Sequence, residues 1–414
     1  MESERLLWIP KGGAKIGCSI GGTEEGQKMS ESILMFYAFK RGIWETVERY
    51  ARLIEGNKRF YISIVDDSEK VQDQKDNRCY LKGLKRQYDI TIYHFDRDHQ
   101  EELFNKVGKA IKSYFFELDG KTPRRSYSTK LNKGFILGRL LGAKRIHFFD
   151  EDTGPSDEDI IERHERILDV HDDIVAVTGR YHELDPGPLT TAMFRSGEGD
   201  TFIDLIRKYT YGDVDPRDQA MIAGVCAIKA EFCERFALPL LPFAVFTDDV
   251  FLAKMVRRCG KEIWKSYCRV RHYHTAERRE PQWVKRYLSE RLARTVAFWA
   301  FVDDKRIIDG LKKVIECGDK PISDDSLNTQ RPEVMVRGYG KELATLAAKA
   351  APGLEDAVKG AAEVVVNNAK QICDKIKEEI KEYSEFLVEW KGVMGNIAKL
   401  STRQREELAN RLDP

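Results

Sequence analysis

Several groups of residues in the chain have types and spacings suited to chemistry on an anionic substrate. Asp150-Glu151-Asp152 directly follows the apolar run Arg145-Ile146-His147-Phe148-Phe149. Two carboxylates one residue apart in a loop can point the same way into a cleft, and such hard oxygen donors suit Mg²⁺ or Mn²⁺, which in turn clamps a diphosphate. Asp-x-Asp alone is a weak signal, because acidic loops are common; its place at the end of a buried strand strengthens it. Lys130-Leu131-Asn132-Lys133-Gly134, at a helix start just upstream, supplies a basic partner for the anion. Gly21-Gly22-Thr23-Glu24-Glu25-Gly26 forms a loop able to adopt positive φ. Carboxylates recur at Asp66-Asp67 and at Asp248-Asp249, where Thr247 and Asp248 also have the residue types of helix caps.

Positioning these groups requires strands that end where the polar residues gather. Residues 15–20 form a short strand candidate running into the glycine loop, and residues 30–54 read as a helix. Strands are expected at residues 60–65, ending in Asp66-Asp67-Ser68, at residues 90–93 and at residues 145–149. A helical stretch from about Gln100 to Phe116, a basic loop from Lys121 to Lys133 and a helix from Gly134 to Leu141 lie between the last two. Further strands are expected at residues 174–178, 220–228 and 264–273, with a helix beginning near Asp248. Strands alternating with helices make a mostly parallel sheet, and ligands in such sheets sit beyond the carboxyl ends of the strands.

From about Gly340 the composition shifts to Ala, Lys and Glu, which marks a helical appendage. Ile372, Ile376, Ile380, Tyr383, Leu387, Trp390, Met394 and Ile397 form the stripe of an amphipathic helix, to be buried against the body or against a second copy of the chain in a homo-oligomer.

The 414 residues carry 69 Lys and Arg against 68 Asp and Glu, and 42% are hydrophobic, which supports one large core or two and excludes a largely disordered chain. A net charge of +1 argues against nucleic-acid coating, so any anion site is local. One local excess runs from Lys254 to Arg294, where thirteen Lys and Arg face four Glu; it is either a solvated face or a site for a diphosphate, a phosphorylated acceptor or lipid headgroups. The longest nearly unbroken apolar run, Phe236 to Phe246, contains two prolines and is too short for a transmembrane segment, and the N-terminus has no signal-peptide pattern, so a cytoplasmic protein is expected. The eight cysteines show no C-x-x-C pair and read mostly as buried thiols.

Over residues 15–275 the order of these motifs resembles a nucleotide-sugar glycosyltransferase of the GT-A fold, of family 2 and related solute-glycosylating enzymes of the mannosylglycerate and glucosylglycerate synthase kind. The resemblance implies an α/β, Rossmann-like, mostly parallel sheet flanked by helices over residues 1–335, with a nucleotide-binding half to residue 152, an acceptor half over 153–335 and a C-terminal α-helical module over 336–414. It places the nucleotide-binding loop at Gly21, Gly22, Thr23 and Glu25, and the base or ribose contact at Asp66 or Asp67. Lys130 and Lys133 would serve the phosphates. The Mg²⁺ or Mn²⁺ ligands would be Asp150 and Asp152, the latter the more direct, with His274 of Arg271-His272-Tyr273-His274 completing the shell. Gly224, within Met221 to Ile228, would let the backbone approach the sugar. Asp249, at a helix start resembling a Thr-Glu-Asp-x-x-Leu element, would be the general base of an inverting member.

The sequence departs from the family in two places. Ser68 and Glu69 follow the paired aspartates where a Gly is usual, and no Gln-x-x-Arg-Trp element of processive synthases is present. The implied reaction is a single sugar transfer from a nucleoside-diphosphate sugar to a small polar, phosphorylated or lipid-linked acceptor. Rival readings are a sugar-phosphate nucleotidyltransferase, whose glycine loop this chain only begins, and a non-catalytic nucleotide-binding scaffold. A P-loop is excluded because Cys18 stands at the lysine position.

Overall fold

The computed structural model describes residues 32–38, 43–116, 127–183, 224–235, 256–273, 331–346 and 355–414, with Ala253, Lys305, Asp309 and Lys312 singly. Eight strands form one mixed sheet: β1 (Ser32–Ala38), β2 (Phe60–Asp66), β3 (Thr91–Phe95), β4 (Arg145–Phe149), β5 (Thr153–Pro155), β6 (Ile174–Glu183), β7 (Val225–Lys229) and β8 (Glu262–His272), in the order β3-β2-β1-β4-β7-β6-β8-β5. The β3-β2-β1-β4 half is parallel throughout, as is β6 beside β8; β7 runs antiparallel to both its neighbours, and β5 antiparallel to β8.

The first strand corrects the sequence reading, which has a helix over residues 30–54. Residues 32–38 are the central strand β1, and the helix α1 occupies only Trp44–Leu53. The reason is burial on both faces. Ile33, Met35 and Tyr37 enter the core on one side of the sheet, while Leu34, Phe36 and Ala38 enter the core on the other. A strand buried on both sides is a continuous apolar run without alternation, and periodicity cannot tell it from a buried helix.

On one face lie α1, α2 (Val71–Tyr88) and α6 (Ile160–Val170); on the other lie α3 (Arg97–Val107), α4 (Lys109–Phe115) and α5 (Tyr127–Leu140). The helical stretch expected over residues 100–116 is therefore two helices, parted at Gly108. Helix α5 begins seven residues before the expected Gly134, so Lys130 and Lys133 sit within a helix, not in a basic loop. Gly134 is there for close packing: a Cβ at that position would stand 2.8 Å from Phe148 Cε1 and 3.2 Å from Met35 Cγ and Tyr37 Oη. Glycine as a packing residue mimics a helix boundary in the sequence. The expected strand over 220–228 is described from Val225, and those over 174–178 and 264–273 extend to Ile174–Glu183 and Glu262–His272.

After the short helix α7 (Ala230–Arg235), the C-terminal part contains α8 (Pro332–Leu346), α9 (Glu355–Asn367), α10 (Ala369–Lys399) and α11 (Thr402–Arg411). These helices share the core of the sheet. Tyr383, Leu387, Trp390, Met394 and Ile397 of the α10 stripe are buried in the same cluster as Phe104, Phe115 and Phe135. Trp390 Nε1 donates to Cys233 O at 3.2 Å, and Asn396 Nδ2 donates to Val107 O at 2.7 Å. Among the described residues no helix is long and apolar enough to cross a membrane.

Because Trp390 is fully buried between α5 and α7 with its indole N–H satisfied, Trp390→Ala is expected to cost about 3–5 kcal/mol of unfolding free energy, measured by urea denaturation. A loss below 1 kcal/mol would show that the helices fold independently of the sheet.

Candidate active site at the carboxyl ends of β1, β2 and β4

The chain runs from β1 outward to β2 and β3, then crosses through α5 to β4 on the other side of β1, so the strand order reverses between β1 and β4. A crevice outside the strand ends is expected at such a reversal. Three pairs of residues end there: Tyr37 and Ala38 of β1, Asp66 and Asp67 at β2, and Asp150 with Asp152 after β4. Gly21, Gly22, Thr23 and Glu25, expected in the nucleotide-binding loop, lie outside the described residues, as do residues 39–42 that follow β1. Asp249 and His274 also lie outside them.

Asp66 is fully buried. Its Oδ1 accepts from Ser68 N at 3.0 Å, and its Oδ2 accepts from Asn77 Nδ2 at 3.0 Å and from His94 Nε2 at 2.8 Å. Asn77 Oδ1 in turn accepts from Trp44 Nε1 at 3.0 Å. Burial alone would raise the pKa of Asp66, but these bonds outweigh it and hold the carboxyl below its ordinary range. Asp67 extends the ladder, donating its N–H to Ala38 O at 2.8 Å, and its carboxylate accepts from Gln100 Nε2 and from both approaches of Lys133 Nζ, at 2.8 and 2.9 Å.

Lys133 is fully buried, with its ammonium 5.3 Å from the centre of the Phe116 ring. Burial pulls its pKa below the usual lysine value, and the Asp67 carboxylate opposes that pull. The phosphate contact expected of Lys133 thus meets a side chain already committed to Asp67. Lys130, one turn earlier, lies over the Tyr37 ring at 5.4 Å. The Tyr37 hydroxyl is buried and has no hydrogen-bond partner among the described residues. Burial, with Cys226, Asp150, Asp67 and Glu151 adding to it, pushes its pKa well up, so this hydroxyl stays protonated as a donor.

The acidic loop is tightly held. Asp150 N donates to Gly224 O at 3.1 Å, which brings the glycine expected to give the backbone room for the sugar against the first carboxylate residue. Asp150 is nearly buried and Asp152 half-buried, and Tyr273 N donates to Asp152 O at 2.7 Å. Glu151 Oε2 is buried without a hydrogen-bond partner among the described residues. A carboxylate oxygen left this way needs a cation or donor to offset its desolvation. Asp150 and Asp152 therefore fit a hard divalent ion that keeps some of its waters or takes phosphate oxygens. Among the described residues no group of three His, Cys, Asp or Glu side chains could hold a metal by itself.

Tyr37, Thr46, Asn77, His94 and Gln100 carry no motif and were not identifiable from sequence. They act as single partners contributed by separate helices and strands, and only the strand order brings them to the acids.

No family model matches the chain, and no curated protein matches it. Among solved structures the chain is similar to a mannosyltransferase from Pyrobaculum calidifontis in complex with GDP-Man and Mn²⁺, at 13% identity and a TM-score of 0.42, over 90% of this chain and 88% of the other. It is also similar to glucosyl-3-phosphoglycerate synthase from Mycobacterium tuberculosis in complex with phosphoglyceric acid, at 12% identity and a TM-score of 0.40, over 66% of this chain and 80% of the other.

Removing the cation of a buried pair strands the anion, so Lys133→Met is expected to cost about 3–5 kcal/mol in urea unfolding. Acid sensitivity has a defined window. Asp96, the N-cap of α3, is held down from the usual 3.8 to about 2: burial would raise it, but bonds from His99 prevail. A depressed folded pKa contributes stability above the unfolded value, and that stability is lost as the pH falls toward the folded one. The unfolding midpoint is expected to drop between about pH 4 and pH 2, and less steeply in Asp96→Asn, as followed by circular dichroism.

Proposed function

We propose that the chain is a metal-dependent glycosyltransferase of the GT-A type, moving one sugar from a nucleoside-diphosphate sugar to a hydroxyl of a small polar or phosphorylated acceptor. The observation that carries this reading is the Asp150-Glu151-Asp152 loop, held at the end of β4 beside the strand reversal, with an uncompensated carboxylate oxygen at its centre. Asp150 and Asp152 would hold Mg²⁺ or Mn²⁺, and the bound ion would offset the charge of the departing diphosphate.

The chain's own residues do the rest. The backbone bond from Tyr273 to Asp152 O ties the residue before His274 to the acidic loop, which favours His274 as the remaining protein ligand. Asp66 and Asp67, with their partners fixed, form the rigid floor on the base side. Contact there is with groups presented by that network, not with a loose carboxylate. The protonated Tyr37 hydroxyl and the Lys130 ammonium supply a donor and a positive charge near β1. Gly224 leaves room for the sugar, and Asp249 acts on the acceptor hydroxyl, taking its proton if the anomeric configuration inverts.

The test is a thermal-shift screen of UDP-, GDP-, ADP-, CDP- and dTDP-sugars with and without Mn²⁺, on the native chain and on Asp152→Ala. A donor that binds the folded state raises its midpoint. One donor is expected to stabilise the native chain only with Mn²⁺, and the variant is expected to keep its fold but lose both that shift and sugar transfer by at least ~100-fold. Full transfer activity in Asp152→Ala sinks the metal assignment, and diphosphate release from a nucleoside triphosphate plus a sugar phosphate would favour the nucleotidyltransferase.

A further inference from the structure

We infer that Thr46 is the positioning residue of the acidic loop, the side chain through which helix α1 sets the direction of the Asp150 and Asp152 carboxylates. The inference rests on the metal reading above. Thr46 lies in the first turn of α1 and is 5% exposed. Its hydroxyl leaves its own helix and reaches residues more than a hundred positions away, with Oγ1 2.9 Å from Glu151 O and 3.1 Å from Thr153 O. A hydroxyl has one proton, so it is shared between two carbonyls that bracket Asp152.

The other carbonyls of the loop have donors of their own. Asp150 O accepts from Thr153 N at 3.2 Å and from Thr153 Oγ1 at 2.8 Å, while Asp152 O accepts from Tyr273 N at 2.7 Å. All four carbonyls from 150 to 153 are thereby fixed, and Thr46 alone serves two of them among the described residues. Backbone orientation decides where the carboxylates point. A metal ligand must stand within about 0.2 Å of its proper distance, and loss of an outer support costs about 10–100-fold in metal affinity. Threonine is a poor helix-interior residue, and its Oγ1 commonly bonds back within its own helix. Here that bond is made to the acidic loop.

The experiment is an Mn²⁺ titration followed by electron paramagnetic resonance, without nucleotide, on the native chain, Thr46→Val and Thr46→Ser, together with metal-free unfolding midpoints. Valine keeps the shape and removes the hydroxyl, and it is expected to weaken Mn²⁺ binding about 10–100-fold. Serine keeps the hydroxyl and is expected to bind within about twofold of the native chain. A residue that merely packs would lower the midpoint and leave Mn²⁺ affinity alone. Native-like Mn²⁺ affinity in Thr46→Val overturns the assignment to Thr46 and leaves the metal reading standing. A folded Thr46→Ser with weakened binding overturns it too, because the methyl and not the hydroxyl would then matter; this arm holds even if the valine variant fails to fold. Absence of Mn²⁺ binding by the native chain overturns the metal reading and the inference together.

Discussion

Two adjacent carboxylates buried at the end of β2 would each cost several kcal/mol if left without partners, and much of the polar interior between β2 and α5 is arranged to prevent that. Asp66 and Asp67 point to different sides and are compensated differently. Asp66 is met by neutral or titratable donors, Ser68 N, Asn77 and His94, whereas Asp67 is met by the buried ammonium of Lys133 and by Gln100. The consequence is geometric. Helix α2 is tied to β2 through Asn77, β3 through His94, α3 through Gln100 and α5 through Lys133, so four elements converge on two residues. This end of the sheet is rigid because it cannot rearrange without stranding a charge.

The opposite side of the crevice is built by another means. The acidic loop has little apolar anchorage and is held by hydrogen bonds to its carbonyls and by the bond from Asp150 N to Gly224 O. Among the described residues Glu151 Oε2 has no hydrogen-bond donor, and beside it Asp150 is buried and Asp152 half-buried. One side is thus fixed through its carboxylates and the other through its backbone carbonyls. Helix α1 joins the two sides, since its first turn reaches Asn77 through Trp44 and the loop through Thr46.

Much of this was legible from sequence where local chemistry and position agree. Residues 145–149 are a strand followed by the acids, and the paired aspartates do end β2, because alternating or continuous apolar runs bounded by carboxylates have few other solutions. The strand at 32–38 was not legible, since a doubly buried strand lacks the period-2 signal. The pairing of Lys133 with Asp67 was not legible for a related reason. A lysine inside a helix that is buried nearly all round reads as a loop cation unless its partner is known, and Asp67 lies sixty-six residues away. The stripe of α10, by contrast, was read correctly as a packing face, because helical periodicity reports burial without needing the partner's identity.

The C-terminal helices bear on the site through the sheet edge. β3 ends the sheet on one side, and an exposed edge strand invites pairing with another chain. Leu412 O accepts from His94 N at 2.7 Å, Lys85 pairs with Asp413, and Arg411 pairs with Glu102, so the segment after α11 covers that edge. His94 is the same residue whose ring holds Asp66. The backbone of the edge strand is satisfied from outside by the last helix, and its side chain satisfies the buried carboxylate from inside. Covering the edge and fixing the buried Asp66 carboxylate are therefore one structural act, which gives a physical reason for the helices after residue 331 to be built into the core of the sheet.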